Sequence, residues 1–328
     1  GEIGTPKKII VFSRDEGKQH NMRLSYLHKK SSTDEVVYSN FQKLLEFRIG
    51  DVRNYSDIVS AIKGVDVVVN AAALKQVPSC EYFPEQAILT NCMGAVNITR
   101  AIREHDFKVH TVIGISTDKA CKPINVMGMT KSLQERIFIS ANILSNKTRF
   151  ICVRYGNVLA SRGSVIPLFH EQIKTGGPIT ITDIRMTRFL LTLDQAVDTV
   201  FCAFVNGRPG EIVVPRAPSA LMTDIAKILI GTRNIEIKIT GIRPGEKLHE
   251  IMISEEEAPF VRTLNDFYAI GSLLPELNPT GYTTDSVLKS EYSSSQSLLD
   301  FAGINNLLVT NRLLLEDKIE FNDDELLR

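Results

Sequence analysis

The 328-residue sequence has no excess of charge of either sign, because 38 Lys and Arg residues balance 38 Asp and Glu residues. A balanced chain has no overall field that would attract nucleic acid or an anionic membrane surface. Long apolar runs are missing too: the apolar stretch over residues 65–73 is interrupted by Asp66 and Asn70, whereas a membrane helix needs ~20 apolar residues. We therefore expect no nucleic-acid partner and no membrane segment in this chain.

Cysteine is scarce and follows no recognisable spacing. The cysteines are Cys80, Cys92, Cys121, Cys152 and Cys202. Their number is odd and no C-x-x-C pair occurs, so neither a disulfide framework nor a zinc site is indicated. The histidines show no metal-ligand spacing either, and no metal is expected. Buried free thiols in a reducing compartment are the simplest interpretation, which predicts a cytoplasmic protein.

Strands and helices alternate through the first half of the sequence. Strands are predicted at residues 7–12, 45–49, 66–70, 109–116 and 149–155, and helices at residues 55–63, 84–105 and 125–144. Asn54 can cap the first of these helices, and residues 66–70 form the β-branched run typical of a strand covered on both faces. This alternation predicts an α/β fold with a doubly wound, parallel, Rossmann-like sheet.

After residue 155 the alternation weakens, because Gly and Pro interrupt it and only short strands are predicted, around residues 179–181 and 212–214. This part predicts a smaller lobe at the carboxyl ends of the strands, where ligands of such sheets bind. We expect a cofactor-binding domain over residues 1–155, a substrate-binding lobe over residues 156–258 interleaved with it, and an extension over residues 259–328. Serine-rich residues 293–297 and acidic residues 316–325 predict a mobile tail.

A glycine-rich loop after the first strand is missing. In dinucleotide-binding folds its glycines let the backbone approach the pyrophosphate at a helix N-terminus. Gly1 and Gly4 follow no strand, and Pro6 interrupts any helix there. The strand at residues 7–12 therefore resembles the second strand of such a fold. We expect that the first strand and its loop are absent from this chain, that it binds NADP weakly, and that its sheet is incomplete.

Charged residues follow the two leading strands. At the end of the second Rossmann strand an acidic residue binds the ribose 2′-hydroxyl, whereas Arg accommodates a 2′-phosphate. Arg14, with Lys18 one helical turn later, is suited to clamp a phosphate, although a solvated charged turn is the plainer alternative. Their place in the fold favours NADP. Asp51 and Val52 are the kind of pair that meets an adenine edge.

Small residues close the strand at residues 66–70. They are Ala71, Ala72 and Ala73. Side chains of this size let a cofactor lie on the backbone, although a tightly packed strand–helix junction has the same composition. Lys75 is placed to reach a ribose or sugar hydroxyl, and Glu81 and Asn91 belong to the same predicted wall.

The most informative segment begins with Thr117, Asp118 and Lys119 at the end of a buried strand and continues to Met127 and Lys131. The last two are four residues apart on one helix, so both face the end of that strand. Short-chain dehydrogenases carry Tyr-x-x-x-Lys on this helix, and Met127 stands at the Tyr position. Met and Lys four apart are common on amphipathic helices; Thr-Asp-Lys at a strand end before them is much more specific.

Ordered motifs extend this pattern along the chain. They are Ser13-Arg14-Asp15-Glu16, Gly50-Asp51-Val52-Arg53, Ala71-Ala72-Ala73-Leu74-Lys75-Gln76-Val77-Pro78, Ser116-Thr117-Asp118-Lys119-Ala120, Arg154-Tyr155-Gly156-Asn157-Val158, Ser161-Arg162-Gly163-Ser164-Val165-Ile166-Pro167, Ile181-Thr182-Asp183, Met186-Thr187-Arg188-Phe189 and Arg243-Pro244-Gly245-Glu246-Lys247. Over residues 9–254 the sequence resembles UDP-N-acetylglucosamine 4,6-dehydratases of the extended short-chain dehydrogenase/reductase superfamily, which serve the synthesis of surface polysaccharides and glycans. The Met127 form is similar to the capsule-type soluble enzymes and also to the larger membrane-anchored members, whereas the flagellin-type soluble enzymes keep Tyr.

The resemblance implies a three-step reaction: hydride leaves sugar carbon 4 for NADP, water is lost across carbons 5 and 6, and the hydride returns to carbon 6. Inversion at carbon 5 is favoured. Thr117 would then bind the 4-oxygen, Asp118 would protonate the leaving 6-hydroxyl, and Lys131 would hold the nicotinamide ribose. Lys119 would take the proton from carbon 5, which requires a pKa lowered by desolvation. The thioether of Met127 cannot accept a proton usefully, so Asp118, Lys119 or a water must replace the Tyr, and Asp118 is favoured.

Arg188 and Arg243 are the expected contacts of the substrate diphosphate, because a planar guanidinium engages two oxygens together. The predicted cofactor-binding residues are Arg14, Lys18, Asp51, Val52, Ala71, Ala72, Ala73, Lys75, Asn91, Lys131, Tyr155, Asn157 and Val158, and the predicted substrate-binding residues are Lys75, Glu81, Asn157, Val165, Thr182, Arg188, Arg243 and Glu246. By the same resemblance we expect a homo-oligomer, and hexamers are common in that family. Two alternatives stay open: a nucleotide-sugar 4-epimerase, which usually keeps the Tyr, and a non-catalytic nucleotide-binding remnant.

Overall fold

The computed structural model describes residues 4–28, 44–145, 147–159, 164–278 and 287–317. Its strands are β1 (Ile9–Ser13), β2 (Leu45–Ile49), β3 (Val67–Asn70), β4 (Thr111–Thr117), β5 (Arg149–Tyr155), β6 (Ile179–Ile181), β7 (Thr187–Phe189), β8 (Ile212–Pro215), β9 (Ser219–Leu221), β10 (Ile237–Ile239), β11 (Ile251–Ile253), β12 (Val261–Leu264), β13 (Phe267–Ile270) and β14 (Tyr292–Ser293). Its α-helices are α1 (Glu16–His28), α2 (Tyr55–Ile62), α3 (Val77–Tyr82), α4 (Pro84–Ala87), α5 (Gly94–Glu104), α6 (Val126–Ala141), α7 (Val165–Lys174), α8 (Leu193–Asn206), α9 (Met222–Ile230) and α10 (Phe301–Thr310). Residues 1–3, the motif residues 161–163 and most of the acidic residues 316–325 lie outside the described part.

The largest sheet has six strands in the order β12-β13-β8-β5-β4-β3. Strands β3, β4, β5 and β8 run parallel, and β13 and β12 are added antiparallel at one edge. Neighbouring residues of β4 face opposite sides: Val112 packs in the core cluster that contains α5 and α6, and Ile113 in the cluster that contains α8. Helices therefore cover both faces, and the predicted doubly wound α/β fold is confirmed.

Strands β1 and β2 form a separate parallel pair, in the register Ile9 to Leu45. The buried Gln19 side chain ties α1 to both strands, because its amide donates to the carbonyl oxygens of Ser13 (3.1 Å) and Arg48 (2.9 Å). Among the described residues, β1 pairs only with β2 and β3 only with β4. The expected absence of a preceding strand stays a prediction.

Most predicted boundaries lie within two residues of the observed ones, because caps define them. Asn54 accepts from the backbone of Ser56 and begins α2, and Asn125 accepts from the backbone of Gly128 (2.8 Å) and begins α6. The helix predicted over residues 84–105 is continuous, but its middle part, Ile88–Met93, has π-helical hydrogen bonding. This irregularity left no pattern in the sequence.

A second hydrophobic cluster lies outside the main sheet and is built largely from α7, α9 and α10. The expected domain boundaries stay predictions. The described part of the extension after residue 258 is well packed, because β12 and β13 join the main sheet and α10 joins the second cluster. The serine-rich segment is also ordered: Ser293 and Ser294 are buried, and the Ser294 hydroxyl accepts from the backbone of Glu250 (2.9 Å). A serine hydroxyl can accept a hydrogen bond from a buried backbone N–H as readily as from water. The composition of the segment does not reveal which of the two occurs.

All five cysteines are buried and unpaired, as the sequence predicted. Among the described residues, no helix is both long and apolar enough to cross a membrane. The same part of the chain contains no cluster of three or more His, Cys, Asp or Glu side chains arranged to hold a metal ion.

Candidate active site

The turn Asp118–Ala120 follows β4 directly, and the N-terminal end of α6 packs on it. Gly128 permits this close approach, because a Cβ at that position would overlap the carbonyl oxygen of Lys119 and lie 3.1 Å from its carbonyl carbon. The Thr117 side chain caps the turn by accepting from the backbone of Lys119 (3.4 Å). Helix α6 and β4 together therefore fix the backbone of the Thr117–Lys119 segment.

Asp118 is 1% exposed, and its two carboxylate oxygens have different surroundings. Oδ1 accepts from the Thr117 hydroxyl (2.8 Å) and from the Lys119 ammonium (3.1 Å). Oδ2 is buried and has no hydrogen-bond partner in the described structure. Gly156 leaves the space beside it, since a Cβ there would lie 3.3 Å from Oδ2. An acceptor without a donor is costly in a protein interior, so Oδ2 is the open proton-accepting position of the turn.

Lys119 lies between two carboxylates. Its ammonium is 3.1 Å from Asp118 Oδ1 and 3.6 Å from Glu250 Oε1, and it donates to Asn157 Oδ1 at 3.4 Å. Burial by itself lowers the pKa of Lys119, but the charges of Asp118 and Glu250 outweigh it and hold the pKa above its ordinary value. The lowered pKa expected from desolvation is therefore wrong for this state, in which Lys119 is an ammonium.

Glu250 was missed in the sequence. It immediately precedes the buried strand β11, four residues after Glu246, and its side chain is 4% exposed. Its Oε1 faces both Lys119 and Arg188, and its Oε2 is buried and without a hydrogen-bond partner among the described residues. A carboxylate placed directly before an apolar strand was the only available signal, and many surface residues share it.

The predicted substrate ligand Arg188 is buried, and its guanidinium contacts several residues of the segment 246–250. Its contacts are the carbonyl oxygens of Thr187 (2.7 Å), Leu248 (3.2 Å) and Lys247 (3.1 Å) and the carboxylates of Glu246 (3.5 Å) and Glu250 (3.6 Å). The other Glu246 oxygen accepts from the backbone of Arg243 (3.4 Å). Arg188, Arg243 and Glu246 are therefore brought together, although Arg188 is engaged with the protein and Arg243 is exposed.

Two more contacts join this segment to the catalytic turn. The Lys247 ammonium donates to the carbonyl oxygen of Cys121 (2.5 Å), and the Asn125 amide donates to the carbonyl oxygen of Gly245 (2.9 Å). The residues 245–250 thus form one side of the site, opposite α6.

A buried ion-pair network supports the turn from behind. Arg154 is 1% exposed and pairs with Glu135 of α6 (2.7 Å) and with Glu257 (2.8 Å), and it donates to the carbonyl oxygen of Met252 (2.7 Å). Ser116, two residues before Asp118, donates to the same Glu135 (2.5 Å). The network joins β4, β5, α6 and β11 directly beneath the site.

Met127 and Lys131 both lie on the buried side of α6, as their spacing predicted. The Lys131 ammonium donates to the carbonyl oxygen of Ile115 (2.5 Å) and to Gln134 (2.7 Å), and burial lowers its pKa to about 8. Met127 packs with Cys80 and Ala87 in a small apolar cluster. The position that carries Tyr in short-chain dehydrogenases is therefore occupied by an apolar side chain that packs against its neighbours.

A cavity of about 460 Å³ lies at the carboxyl ends of β1 and β3. Its lining comprises Arg14, Arg53, Ala73, Leu74, Lys75, Gln76, Ser79, Phe83, Gln86 and Thr90. Asp51 accepts from Arg53 (2.8 Å) and lies 3.8 Å from Arg14. The lining residues Arg14, Arg53 and Lys75 give the cavity a surplus of positive charge over the single Asp51 carboxylate beside it, which suits an anionic ligand.

Lys18 is not part of this lining, which corrects the predicted phosphate clamp. It lies in the first turn of α1, where its ammonium is 3.7 Å from Asp15 one turn back. Arg53, which was not predicted as a ligand, lines the cavity beside Arg14 instead. Its place in the Gly50-Asp51-Val52-Arg53 motif, directly after the Asp-Val pair, was the available signal.

Two residues of the predicted wall bind the protein itself. Glu81 accepts from the backbone of Val126 (2.7 Å) and so caps α6. Asn91 is fully buried: it accepts from the backbone of Leu74 (2.8 Å) and donates to that residue's carbonyl oxygen (3.1 Å) and to Thr130 (2.9 Å). Their polar groups hold the helices around the cavity in place, and the ligand contact expected of Asn91 stays a prediction.

The remaining predicted residues are dispersed. Val165 begins α7 and packs against the second cluster, and the Thr182 hydroxyl contacts the Met186 sulfur (3.1 Å). Val52 packs against Gly94. Tyr155 pairs with Thr117 in the sheet, Val158 bridges to Leu191, Ala71 is exposed, and Ala72 is half-buried.

Comparison with known proteins gives consistent matches over most of the chain. A sequence family described as "Polysaccharide biosynthesis protein" matches residues 2–271. A protein of Rickettsia typhi named UDP-glucose 4-epimerase is 43% identical over 318 residues, which cover 94% of this chain and 88% of that protein. The X-ray structure of Pen from Bacillus thuringiensis has a TM-score of 0.82 at 34% identity and covers 94% of this chain and 91% of that one. DesIV of Streptomyces venezuelae, a dTDP-glucose 4,6-dehydratase determined with NAD bound, has a TM-score of 0.61 at 18% identity over 74% of this chain and 78% of that one, which shows likeness of fold alone.

Proposed function

Because this chain belongs to the polysaccharide biosynthesis protein family, we propose that it modifies a nucleotide sugar, and specifically that it dehydrates UDP-N-acetylglucosamine to a UDP-4-keto-6-deoxy-hexosamine. The observation that carries the proposal is the pair formed by Asp118 and Lys119: a buried carboxylate with one open oxygen, 3.1 Å from an ammonium. Elimination of water needs one group that gives a proton and one that takes a proton within reach of adjacent carbons. Adjacent residues on one turn meet that need.

Asp118 takes the first proton in this proposal. Its open Oδ2 is the acceptor that replaces the phenolate of a Tyr, since Met127 offers none. The proton taken from the 4-hydroxyl then makes Asp118 a carboxylic acid, which protonates the 6-hydroxyl as it leaves. Thr117, which donates to the other Asp118 oxygen, keeps the carboxylate oriented and approaches the 4-oxygen. One carboxyl group thereby serves two consecutive steps.

Lys119 takes the proton from carbon 5 and returns one to it at the end. As an ammonium it must first lose a proton before it can take one from carbon 5. Before substrate binds, the charged Lys119 therefore does not yet suit the second step.

A nicotinamide dinucleotide is the cofactor of the proposal, and it supplies reversible acceptance of a hydride when bound. The cavity between β1 and β3 fits its anionic parts, because Arg14, Arg53 and Lys75 line it. Two arginines at this position favour NADP over NAD, since guanidinium groups suit a 2′-phosphate. Lys131 is placed by α6 next to the end of β4, where it would hold the nicotinamide ribose.

The substrate's diphosphate is assigned to the region of Arg188 and Arg243, with Glu246 near a ribose. Arg188 must release some of its protein contacts to reach a phosphate, whereas exposed Arg243 is free to approach. Inversion at carbon 5, a cytoplasmic location, a role in capsule or other surface glycans, and assembly into a homo-oligomer remain predictions from the resemblance.

A 4-epimerase is the second candidate, and the name of the Rickettsia typhi relative favours it. An epimerase removes and returns the hydride at carbon 4 and needs a base for the 4-hydroxyl only. It has no use for an acid at carbon 6 and a second base at carbon 5. The Asp118–Lys119 pair is the feature that favours elimination.

The test compares three forms of this chain with UDP-N-acetylglucosamine and NADP: wild type, Asp118→Asn and Lys119→Ala. We expect a 4-keto-6-deoxy product from the wild type and a loss of at least about 100-fold in rate for each variant, the lower range for a lost general acid or base. The matched control is Lys122→Ala, which removes a lysine of the same loop that pairs with Glu255 and Glu291 at the surface. Full activity of Lys119→Ala contradicts the proposal.

A further inference from the structure

The site contains a carboxylate to which the proposed mechanism has given no task. Glu250 lies opposite Asp118 across Lys119, and its Oε1 is 3.6 Å from the Lys119 ammonium and 3.6 Å from Arg188 Nε. Its Oε2 is buried and has no hydrogen-bond partner among the described residues. A buried carboxylate with an unused oxygen costs free energy, so its position calls for a role.

We propose that Glu250 is a positioning residue that holds the Lys119 ammonium and accepts its proton, which releases the free amine needed at carbon 5. The inference rests on the proposed dehydration. It assigns to Glu250 the proton that the elimination otherwise leaves without a destination inside a closed site.

The protons balance over a full cycle. At the start Asp118 and Glu250 are carboxylates and Lys119 is an ammonium. Asp118 takes the 4-hydroxyl proton as hydride leaves carbon 4. An N–H bond of Lys119 then breaks and an O–H bond forms on Glu250, so that Lys119 takes the carbon-5 proton as Asp118 protonates the departing water. When hydride returns to carbon 6, Lys119 gives its proton to carbon 5 and recovers one from Glu250, and the three groups are again as at the start.

Arg188 gives this carboxylate a second connection. In the present state Lys119 and Arg188 share the same Glu250 oxygen, and the other guanidinium donors of Arg188 bind carbonyl oxygens and Glu246. A diphosphate that draws Arg188 away removes a positive neighbour from Glu250. A carboxylate with fewer positive neighbours binds a proton more strongly, so substrate binding itself prepares Glu250 to accept one.

The charged groups that face Lys119 are Asp118 on its own turn, Glu250 before β11, Arg188 on β7 and Lys247 on the segment between them. Two are negative and two are positive. Replacing Glu250 by Gln keeps its size and removes one of the two negative charges. Because an opposite charge within ~4–6 Å moves a pKa by ~1–3 pH units, the titration midpoint of Lys119 is expected to fall by about 1 pH unit or more.

The experiment measures two quantities in the wild type, in Glu250→Gln and in Glu250→Asp. The first is the midpoint of Lys119, from the pH dependence of its labelling by a small amine reagent, followed by peptide mass spectrometry in the absence of substrate. The second is the pH profile of kcat and KM for dehydration. The matched control is Glu255→Gln, which changes an exposed carboxylate just after β11 that pairs with Lys122.

We expect Glu250→Gln to lower the Lys119 midpoint and to reduce kcat by about 100-fold, with a smaller change in KM and a rate that rises with pH as solvent takes over the proton. Glu250→Asp, which keeps the carboxylate, should recover part of kcat and also serves if the Gln variant does not fold. The control should behave as wild type. The inference is overturned if Glu250→Gln leaves the Lys119 midpoint unchanged. It is also overturned if either substitution leaves kcat at the wild-type value.

The labelling separates this inference from the function on which it rests. A chain that forms no 4-keto product at NADP concentrations that saturate it refutes the dehydration, and with it the proton transfer, whatever the midpoint of Lys119 does. A chain that forms the product while Glu250→Gln keeps the wild-type midpoint and kcat refutes the inference alone.

Discussion

Replacing Gly128 by Ala is a sharp perturbation of the catalytic turn because it adds a single carbon. That carbon would overlap the Lys119 carbonyl oxygen and lie 3.2 Å from Pro123 Cβ. The obstacle is backbone, so no side chain can rotate away, and α6 and the turn must separate by roughly 1 Å to restore ordinary van der Waals distances.

Two effects on stability oppose each other. Overpacking of this kind costs about 1–3 kcal/mol, and Ala is favoured over Gly in a helix by about 1 kcal/mol. The net loss is therefore about 0–2 kcal/mol, at most a few degrees in the temperature of unfolding. The effect on rate is larger, because a displacement of about 1 Å in a catalytic group costs on the order of 100-fold.

The assay combines thermal unfolding with kcat/KM for the nucleotide sugar. The matched control is Gly303→Ala, which makes the same change in α10, where the new Cβ would meet the Asp300 carboxylate at 3.0 Å and the side chain can shift. We expect wild-type activity from the control. A Gly128→Ala enzyme that keeps the wild-type rate refutes the close packing of α6 on the turn as a requirement for catalysis.

Three further predictions concern the groups around the turn. Burial lowers the pKa of Lys131 from 10.5 to about 8, so the folded protein binds this proton less tightly than the unfolded chain does. The free energy of unfolding should therefore rise between pH 8 and 10.5, by about 3 kcal/mol, and Lys131→Met should lose that rise in urea titrations without cofactor. Arg154→Met leaves buried Glu135 without an ion pair and Glu257 with only the 4.0 Å contact to Arg136, and it should lower the free energy of unfolding at neutral pH by about 3–5 kcal/mol. Arg14→Ala should raise the calorimetric Kd for NADP about tenfold or more and that for NAD less, whereas Lys18→Ala should change neither.

Each of these has a surface counterpart in the chain. Lys227→Met removes an exposed lysine and should leave the alkaline rise intact, and Arg262→Met breaks the partly exposed pair with Glu211 and should cost less than Arg154→Met. The interpretation of Lys131 is contradicted if both lysine variants keep the rise. The interpretation of Arg154 is contradicted if Arg154→Met lowers the free energy of unfolding by less than about 1 kcal/mol. The 2′-phosphate assignment is contradicted if Arg14→Ala changes the Kd for NADP and the Kd for NAD equally.

The alternating sheet and the segment from Thr117 to Lys131 could be predicted because both depend on local pattern. The spacing of apolar residues, the helix caps and the strand ends all depend on residues close together in the sequence. The observed bounds of β2 and β5 are therefore the predicted ones. The edge of the main sheet that β12 and β13 form could not be predicted. It depends on the antiparallel pairing of β13 with β8, which lies some fifty residues earlier in the sequence.

The balance of charges in the site could not be predicted from the sequence, for a related reason. Desolvation of Lys119 was foreseen, but the sign of its pKa shift depends on Glu250, which lies 131 residues away and is brought to it by β11. The same holds for Arg53, whose role depends on where the cavity lies. Residue types indicate which groups can carry charge, whereas the fold decides which of them meet.

The most direct test of the proposed elimination follows one atom. UDP-N-acetylglucosamine carrying deuterium at carbon 4 is incubated with this chain and NADP, and the product is examined by NMR. Dehydration with internal hydride return places the deuterium on carbon 6 of a 4-keto-6-deoxy sugar, as a singly deuterated methyl group. Deuterium retained at carbon 4 of a hexosamine with inverted configuration there would show epimerisation and contradict the roles assigned to Asp118 and Lys119.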